Sequence, residues 1–348
     1  MLGKVGHLIV IKLTMLSSAE KVKGQGVASA YRELVNLINE RLQDKIEMSI
    51  NQFHQTDITH YHTVDFHFFL STFFKKKRGV RVGYVHFLPE TMEGSLKLPG
   101  IARAVFYKYL ISFYKKMDEI VVVNPSFIPK LEAYDIPASK IHYIPNFVSK
   151  KTFLSDKSLG EDVREKYQIP LDKFVVLGVG QVQHRKGVLD FIEVAKSLPD
   201  IQFVWAGGFS FGKITSGYEE LKKIYDNPPE NVKFIGIVDR SEMNGCFNMA
   251  DLFFMPSYNE LFPMAILEAM SAGVPVLLRD LELYQEILSG YYAKGNNNLE
   301  FISNITELKR SNEKYNELLA QAEKGAAFYS EDRLTEIWDE FYHNLLRK

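Results

Sequence analysis

The sequence predicts an α/β protein built from two doubly wound domains that face each other across a cleft, and three observations predict it. In both halves, short β-type apolar runs alternate with amphipathic helical stretches, the βαβα pattern of a parallel sheet covered on both faces. Between Asn146 and Lys157 the chain turns polar and loses periodicity, which marks a linker. Strand-like runs end in glycine, as at Gly178 and Gly180 and in WAGG at 205–208. Turns of that kind, at the carboxyl ends of strands, hold the ligands of doubly wound sheets. The length of 348 residues fits about two domains.

Taken in order, HLIVIKL (7–13) reads as the first strand and GVASAYRELVNLINERL (26–42) as the following helix. Gly24 and Gly26 occupy the turn between them. Further strands are expected at 57–62, 80–87, 119–124 and 140–145. After the linker the pattern restarts with a strand at 173–180 and a helix at 185–198. Strands at 201–208, 231–238, 251–257 and 274–278 follow. From about Glu313 to Lys348 the tail reads as helical, with a break near Ser330. The expected division is residues 1–148, residues 149–330, and a final helix at 331–348 that packs back on the first domain.

Composition narrows the class. Cys246 is the one cysteine, which excludes an intramolecular disulfide and fits a reducing compartment. The longest apolar runs have only strand length, so no spanning helix is expected, and Lys12 interrupts the opening run too early for a signal segment. His60, His62 and His67 bring imidazoles together, yet no cysteine or carboxylate spacing supports a metal site, and they read as lining a strand end. The net charge of −1 hides an asymmetry. Residues 1–150 carry 20 basic and 13 acidic side chains, and residues 151–348 carry 22 and 30. Between Phe66 and Met117 there are ten basic residues and two acidic ones, Glu90 and Glu93. Such a surface suits an anionic partner, either nucleic acid or anionic lipid.

The most informative stretch is NELFPMAILEAMSAGVPV (259–276). Glu260 and Glu268 are separated by seven apolar residues, with Pro263 between them and Gly273 and Pro275 behind. A helix with Pro263 in its first turn would stop before Gly273. Only Glu268 and Ser271 interrupt its apolar surface, so it is expected to be buried, and a buried carboxylate needs partners. Glu260 would sit at the helix mouth, where free N–H groups and the dipole favour an anion such as phosphate. A core helix whose glutamate caps a neighbouring loop fits the same pattern. Upstream, GVGQVQHRKG (178–187) ends a strand on glycine and brings Lys186 to the start of a helix, an arrangement suited to a diphosphate.

Together, GVGQVQHRKG, WAGG and NELFPMAILEAMSAGVPV resemble the retaining GT-B glycosyltransferases of family 4, and the order of elements matches over nearly the whole chain. The resemblance implies a C-terminal domain that holds a nucleotide diphosphate sugar and an N-terminal domain that holds the acceptor. It implies that Glu260 bonds hydroxyls of the transferred sugar and that Glu268 bonds the ribose. Lys186 would neutralise the diphosphate, with Gly180, Arg185 and the backbone at Leu261, Phe262, Pro263 and Met264 completing the donor site. One position departs from the family: where an arginine is usual, this chain has Gln181, which adds no charge and leaves more of the leaving group to Lys186 and Arg185. His86, in GYVHFLPE, matches the family's histidine near the reacting sugar, though a satisfied core histidine fits it too. Gly24 and Gly26 match its N-terminal glycine loop. No Asp-x-Asp triplet occurs, which agrees with leaving-group stabilisation by lysine and helix dipole, and no metal or other cofactor is expected besides the UDP-sugar donor.

On the acceptor side, FHFFLSTFFKKKRG (66–79) joins five phenylalanines to Lys75, Lys76, Lys77 and Arg78. RAVFYKYLISFYKK (103–116) mixes five aromatics with Arg103, Lys108, Lys115 and Lys116. Such segments can lie in a membrane interface, rings among the headgroups and amines on anionic lipid. A solvated basic face over an ordinary core has the same composition. Nucleic acid is disfavoured because no recognition module accompanies the charge. Within the family, GQGVASAY, YVHFLPETMEGSLKLPG and GQVQHRKG are most similar to bacterial glycolipid synthases. That implies transfer of glucose or galactose from a UDP-hexose to monoglucosyl-diacylglycerol, by an enzyme bound peripherally at the inner face of the cell membrane. The alternatives are a family 4 transferase acting on a soluble or polymeric glycan, a nucleotide-sugar epimerase of the same fold, and a non-catalytic membrane partner.

Overall fold

A computed structural model describes residues 10–21, 26–92, 99–210, 212, 215, 217–260 and 262–347. Residues 7–9 of the expected first strand, Gly24 and Leu261 lie outside the described residues.

The first half opens with β1 (Ile11–Leu16), α1 (Gly26–Arg41), β2 (Ile46–Ile50) and β3 (Ile58–Tyr61). Two short helices, α2 (Phe66–Ser71) and α3 (Lys75–Arg78), lead to β4 (Val80–Val85). It closes with α4 (Gly100–Lys115), β5 (Glu119–Val122), α5 (Phe127–Glu132) and β6 (Ile141–Tyr143). Among the described residues its strands pair in parallel in the order β2-β1-β3-β4-β5-β6.

The second half runs α6 (Lys157–Lys166), β7 (Val175–Val179), α7 (Val188–Ser197), β8 (Gln202–Ala206) and α8 (Tyr218–Asp226). Next come β9 (Val232–Gly236), α9 (Arg240–Asn248), β10 (Leu252–Met255) and α10 (Met264–Ser271). It ends with β11 (Val276–Arg279), α11 (Glu282–Gln285), β12 (Ala293–Gly295), α12 (Asn298–Arg310), α13 (Asn312–Phe328) and α14 (Glu331–Leu345). The second sheet is also parallel, in the order β12-β11-β10-β7-β8-β9. Two parallel sheets in α/β arrangement are the predicted fold class.

The elements follow from apolar spacing. In α1, Ala30, Tyr31, Leu34, Leu37 and Ile38 fall on one helical face, and all five are buried. Central strands such as Val175–Leu177 and Leu252–Met255 are buried on both faces, as parallel strands covered by helices must be. Some boundaries differ from expectation. β1 continues through Thr14, Met15 and Leu16, which are buried on both faces, while Val10 lies exposed ahead of it. The helix expected from 185 starts instead at Val188, because Gly187 turns the chain with φ +70°. A Cβ at Gly187 would lie 2.3 Å from the carbonyl oxygen of Pro256. Pro263 precedes α10 rather than sitting in its first turn, and its carbonyl accepts from the Ile266 amide at 3.2 Å.

The last helix returns to the first sheet. Tyr342 Oη and His60 Nδ1 are 2.9 Å apart, Arg41 Nη2 donates to Asp332 at 2.7 Å, and Lys45 pairs with Asp339. Beneath α14, β3 and the end of β4 place His60, His62 and His86 in a buried aromatic row. Ring centroids are 4.2 Å apart for His60 and His62 and 6.0 Å for His62 and His86, with Tyr84 4.3 Å from His86. Burial pushes His60 and His86 down to about 3 and His62 well below the usual histidine range. The folded chain therefore keeps all three neutral, whereas in the unfolded chain they take up protons near pH 6.5. Their contribution to stability is complete above pH 6.5 and is lost as pH falls toward 3, at up to about 1.4 kcal/mol per pH unit for each histidine. The expected outcome is a thermal midpoint that drops steadily from pH 7 to pH 5, with a shallower slope in His60→Asn. A midpoint independent of pH over that range contradicts it.

Candidate active site

In the second sheet the strand order reverses between β7 and β10, and in such sheets the crevice at the carboxyl ends of those strands receives the ligand. Both strands feed it directly. The chain leaving β7 turns at Gly180 (φ +148°), and the end of β8 presses so close that a Cβ on Gly207 would lie 1.8 Å from the Gly180 carbonyl oxygen. Trp205 Nε1 donates to that same oxygen at 2.9 Å, which fixes the turn. The Lys186 stem runs past Gly180, 3.5 Å from where a Cβ there would sit, an ordinary packing distance.

Lys186 Nζ pairs with Glu260 Oε1, which the chain leaving β10 delivers. Arg185 Nη1 lies 3.9 Å from Glu260 Oε2 and donates to the Asn259 carbonyl at 3.0 Å. Arg185 is in turn steadied by Gln183, whose Oε1 accepts from Arg185 Nε at 3.1 Å and whose Nε2 donates to Gln181 Oε1 at 2.6 Å. Burial alone would raise the Glu260 carboxyl, but Lys186 and Arg185 outweigh it and hold the group below its usual range. Two cations against one carboxylate leave this corner positive. The amino end of α10 faces the same space: Met264 lines it, and among the described residues no side chain caps the first-turn amides. Such an end favours an anion.

Glu268, one turn further along α10, is buried, and its Oε1 accepts from Arg240 Nη1 at 2.7 Å. Across the gap stands the first half, and the two halves enclose a cleft of about 550 Å³ lined by Ser29 and His86 on one side and Gly180, Lys186, Glu260 and Glu268 on the other. His86 is buried and neutral, and among the described residues its Nε2 has no hydrogen-bond partner. A neutral imidazole of this kind at a cleft wall can bond a substrate hydroxyl. The cleft therefore offers two cations and a helix terminus for a diphosphate, two carboxylates for hydroxyl groups, and a histidine on the opposite wall.

Comparison with known proteins matches both halves of that cleft. Residues 160–325 match the family described as "Glycosyl transferases group 1" and residues 29–151 the one described as "Glycosyltransferase Family 4". An alpha-galactosylglucosyldiacylglycerol synthase of Streptococcus pneumoniae is 48% identical over 334 residues, 95% of this chain and 89% of the relative. The chain is a family 4 glycosyltransferase of the GT-B fold. A processive diacylglycerol alpha-glucosyltransferase of Acholeplasma laidlawii is 31% identical over 232 residues, 66% of this glycosyltransferase and 68% of the relative. Among solved structures, Anabaena HepE with UDP-glucose aligns with TM-score 0.74 and 14% identity, covering 96% of this chain and all of HepE, a likeness of fold.

In the glycosyltransferase, Gly180, Gln181, Arg185, Lys186, Glu260, Phe262, Pro263, Met264, Glu268 and His86 all line this cleft. Gly26 starts α1. The Phe262 carbonyl accepts from Asn146 Nδ2 at 3.2 Å, and Pro263, lacking an N–H, cannot be one of the backbone donors expected here. The basic residues of the first half part company. Lys75, Lys76, Lys77, Arg103, Lys108 and Lys115 are exposed, although Lys115 pairs with Asp135 at 3.3 Å. Lys116 is half-buried over the Phe73 ring at 4.5 Å. Arg78 corrects the expectation of a membrane-facing run: it is 1% exposed and its guanidinium donates to the carbonyls of Gln52 and His54. Gly79 makes the difference, because its φ of +56° turns the chain toward Asp57 and carries Arg78 inward.

Sequence reasoning missed Arg240, Glu33, Gln183 and Asn146. Arg240 follows a strand and opens a helix, as Lys186 nearly does, and that position was its one available signal.

A buried ion pair broken on one side is costly, about 3–5 kcal/mol, whereas removing both charges costs far less. Lys186→Ala is therefore expected to lower stability by that order, and Lys186→Ala with Glu260→Gln to recover most of it. Urea unfolding of the four forms measures this, and additive losses in the double variant would show that the pair is not coupled.

Proposed function

We propose that this glycosyltransferase transfers a hexose from a UDP-sugar to monoglucosyl-diacylglycerol at a membrane surface, giving an α-linked diglycosyl-diacylglycerol. The observation that carries the proposal is the 48% identity to the Streptococcus pneumoniae synthase across 95% of the chain, since it spans the acceptor half as well as the donor half. That relative's name favours galactose over glucose as the transferred sugar. UDP-glucose bound to HepE, a protein of the same fold, supports a UDP-sugar as donor.

In the proposed reaction the diphosphate lies against Lys186, Arg185 and the α10 amides, which stabilise its negative charge as the bond to the sugar breaks. Glu260 bonds hydroxyls of the transferred sugar and Glu268 those of the ribose. The anomeric centre becomes oxocarbenium-like. The acceptor hydroxyl attacks from the face the diphosphate leaves and passes its proton to a diphosphate oxygen, so the α configuration is retained. Glu260 acts by orienting the sugar and not as a covalent nucleophile, and His86 steers a hydroxyl from the opposite wall.

A lipid acceptor needs a docking face, and the first half carries a suitable one. Phe66, Leu70, Phe73 and Phe74 on and after α2, and Ile101 and Val105 on α4, are exposed. The two groups are continuous, because Phe66 packs 6.4 Å from Tyr109, one turn along α4 from Val105. Helices run antiparallel to the strands they cover, so the amino ends of α2 and α4 reach the same edge of the sheet as the cleft. At that edge Phe66, Ile101 and Val105 lie beside Arg103, and the exposed face continues along α2 and α4 to Phe73, Phe74, Lys75, Lys76 and Lys77 near the start of β4; an apolar face flanked by amines suits insertion into an anionic bilayer. Among the described residues no helix is long and apolar enough to cross a membrane; the attachment proposed is peripheral, at the inner face, through this basic and aromatic surface.

Purified protein with radiolabelled UDP-galactose or UDP-glucose, and vesicles with or without monoglucosyl-diacylglycerol, tests the proposal. Label is expected in a diglycosyl lipid only when the acceptor is present, with rates rising with anionic lipid. Phe73→Ser with Phe74→Ser should cut transfer on vesicles about tenfold or more, the loss of about 1.4 kcal/mol or more of membrane affinity, and leave UDP binding unchanged. Label entering a soluble glycan without vesicles would overturn the acceptor assignment, and an unchanged rate on vesicles would overturn the docking face.

A further inference from the structure

One guanidinium in the cleft serves two carboxylates from opposite halves of the molecule. Arg240, the first residue of α9, sends Nη1 to Glu268 Oε1 at 2.7 Å and Nη2 to Glu33 Oε1 at 2.6 Å. The same Nη1 donates to Ser29 Oγ at 3.0 Å. Glu33 and Ser29 stand on α1 in the first half, and Glu268 stands on α10 in the second. Phe153, from the crossing segment, stacks under the guanidinium at 5.0 Å. Glu33 is itself held from behind, for its Oε2 accepts from the Ser149 amide at 3.1 Å, and Ser149 Oγ donates to Glu331 at 2.8 Å. The fork thus joins the donor helix, the opposing helix, the crossing segment and the start of α14.

Glu33 and Glu268 are both buried and share this cation, an unequal count in a place where a carboxylate without a partner is costly. Burial raises the Glu33 carboxyl above its usual range even with Arg240 beside it. Glu268 is engaged through Oε1; among the described residues nothing bonds its Oε2, and the side chain lines the cleft.

We propose that Arg240 is a positioning residue for the donor: it holds the Glu268 carboxylate rotated so that Oε2 meets the ribose diol, and it ties that orientation to α1 of the other half through Glu33. The proposal rests on the assignment of Glu268 to the ribose. Its consequence is that donor affinity depends on contact between the two halves, through Glu33, which is not among the residues that line the cleft. A guanidinium suits this task, because its rigid planar fork fixes the direction to two carboxylates at once, which a freely rotating ammonium on a flexible stem does less well.

Calorimetric titration of UDP into four forms tests it: wild type, Arg240→Gln, Glu268→Gln and the double variant. Arg240→Gln is expected to weaken UDP binding about tenfold, with Arg240→Lys recovering part of the loss. In the Glu268→Gln background the same change should alter UDP affinity less than about twofold, since a positioning residue acts through the group it positions. Wild-type affinity in Arg240→Gln overturns the proposal, and so does an equal loss in both backgrounds, which would mark a merely structural role. If Arg240→Gln does not fold, Arg240→Lys replaces it in the same cycle, with a smaller loss expected on the same pattern. Failure of the wild type to bind UDP defeats the donor assignment itself; normal binding by the wild type, with loss in Glu268→Gln but none in Arg240→Gln, defeats only the role of Arg240.

Discussion

Glu260 is a carboxylate placed where water hardly reaches it, and most of the donor half is arranged around keeping it charged. An isolated ionised carboxylate in such a place is strongly disfavoured, so Lys186 pairs with it and Arg185 stands close behind. That requirement propagates outward. The Lys186 stem passes beside Gly180 on its way to Glu260, and Gly180 holds its turn because Gly207 and Trp205 close on its carbonyl. Gly187 lets the next helix start against Pro256, just ahead of the segment that delivers Glu260. The ion pair is therefore both a stability element and a store of positive charge that a diphosphate can use.

The second organising constraint is the meeting of the halves. Asn146 holds the Phe262 carbonyl, Ser149 backs Glu33, and α14 ties the end of the chain to the first sheet through Tyr342 and His60. Apolar packing accompanies these polar contacts, for Trp338 lies against His60 and Tyr84, and Phe262 meets Tyr329. An arrangement of that kind suits two bodies that close on a ligand, in which the same side chains both bind and join.

Much of the donor site was legible in the sequence because its signals are local. A strand ending on glycine, a lysine just beyond it, and two carboxylates spaced along an apolar helix can each be read within twenty residues or so. The fold was legible for the same reason, since buried parallel strands are continuous apolar runs. β2 escaped because Glu47 and Ser49 interrupt its five residues, as an edge strand allows, and β12 because it is so short. The start of α12 carried a readable capping box, Asn297 with Glu300, and was still overlooked. Arg240 and Glu33 were not legible, because the contact that gives them meaning spans 207 positions. Arg78 shows the opposite failure. Four successive basic residues look alike as letters, and only the backbone turn at Gly79 shows that one of them points inward.

The most direct measurement of the central claim is a crystal structure of the protein soaked with UDP. The diphosphate is expected within about 3 Å of Lys186 Nζ and the first amides of α10, with the ribose hydroxyls on Glu268 and the uracil further into the second half. A diphosphate bound away from the Lys186–Glu260 corner, with that pair undisturbed, would contradict it.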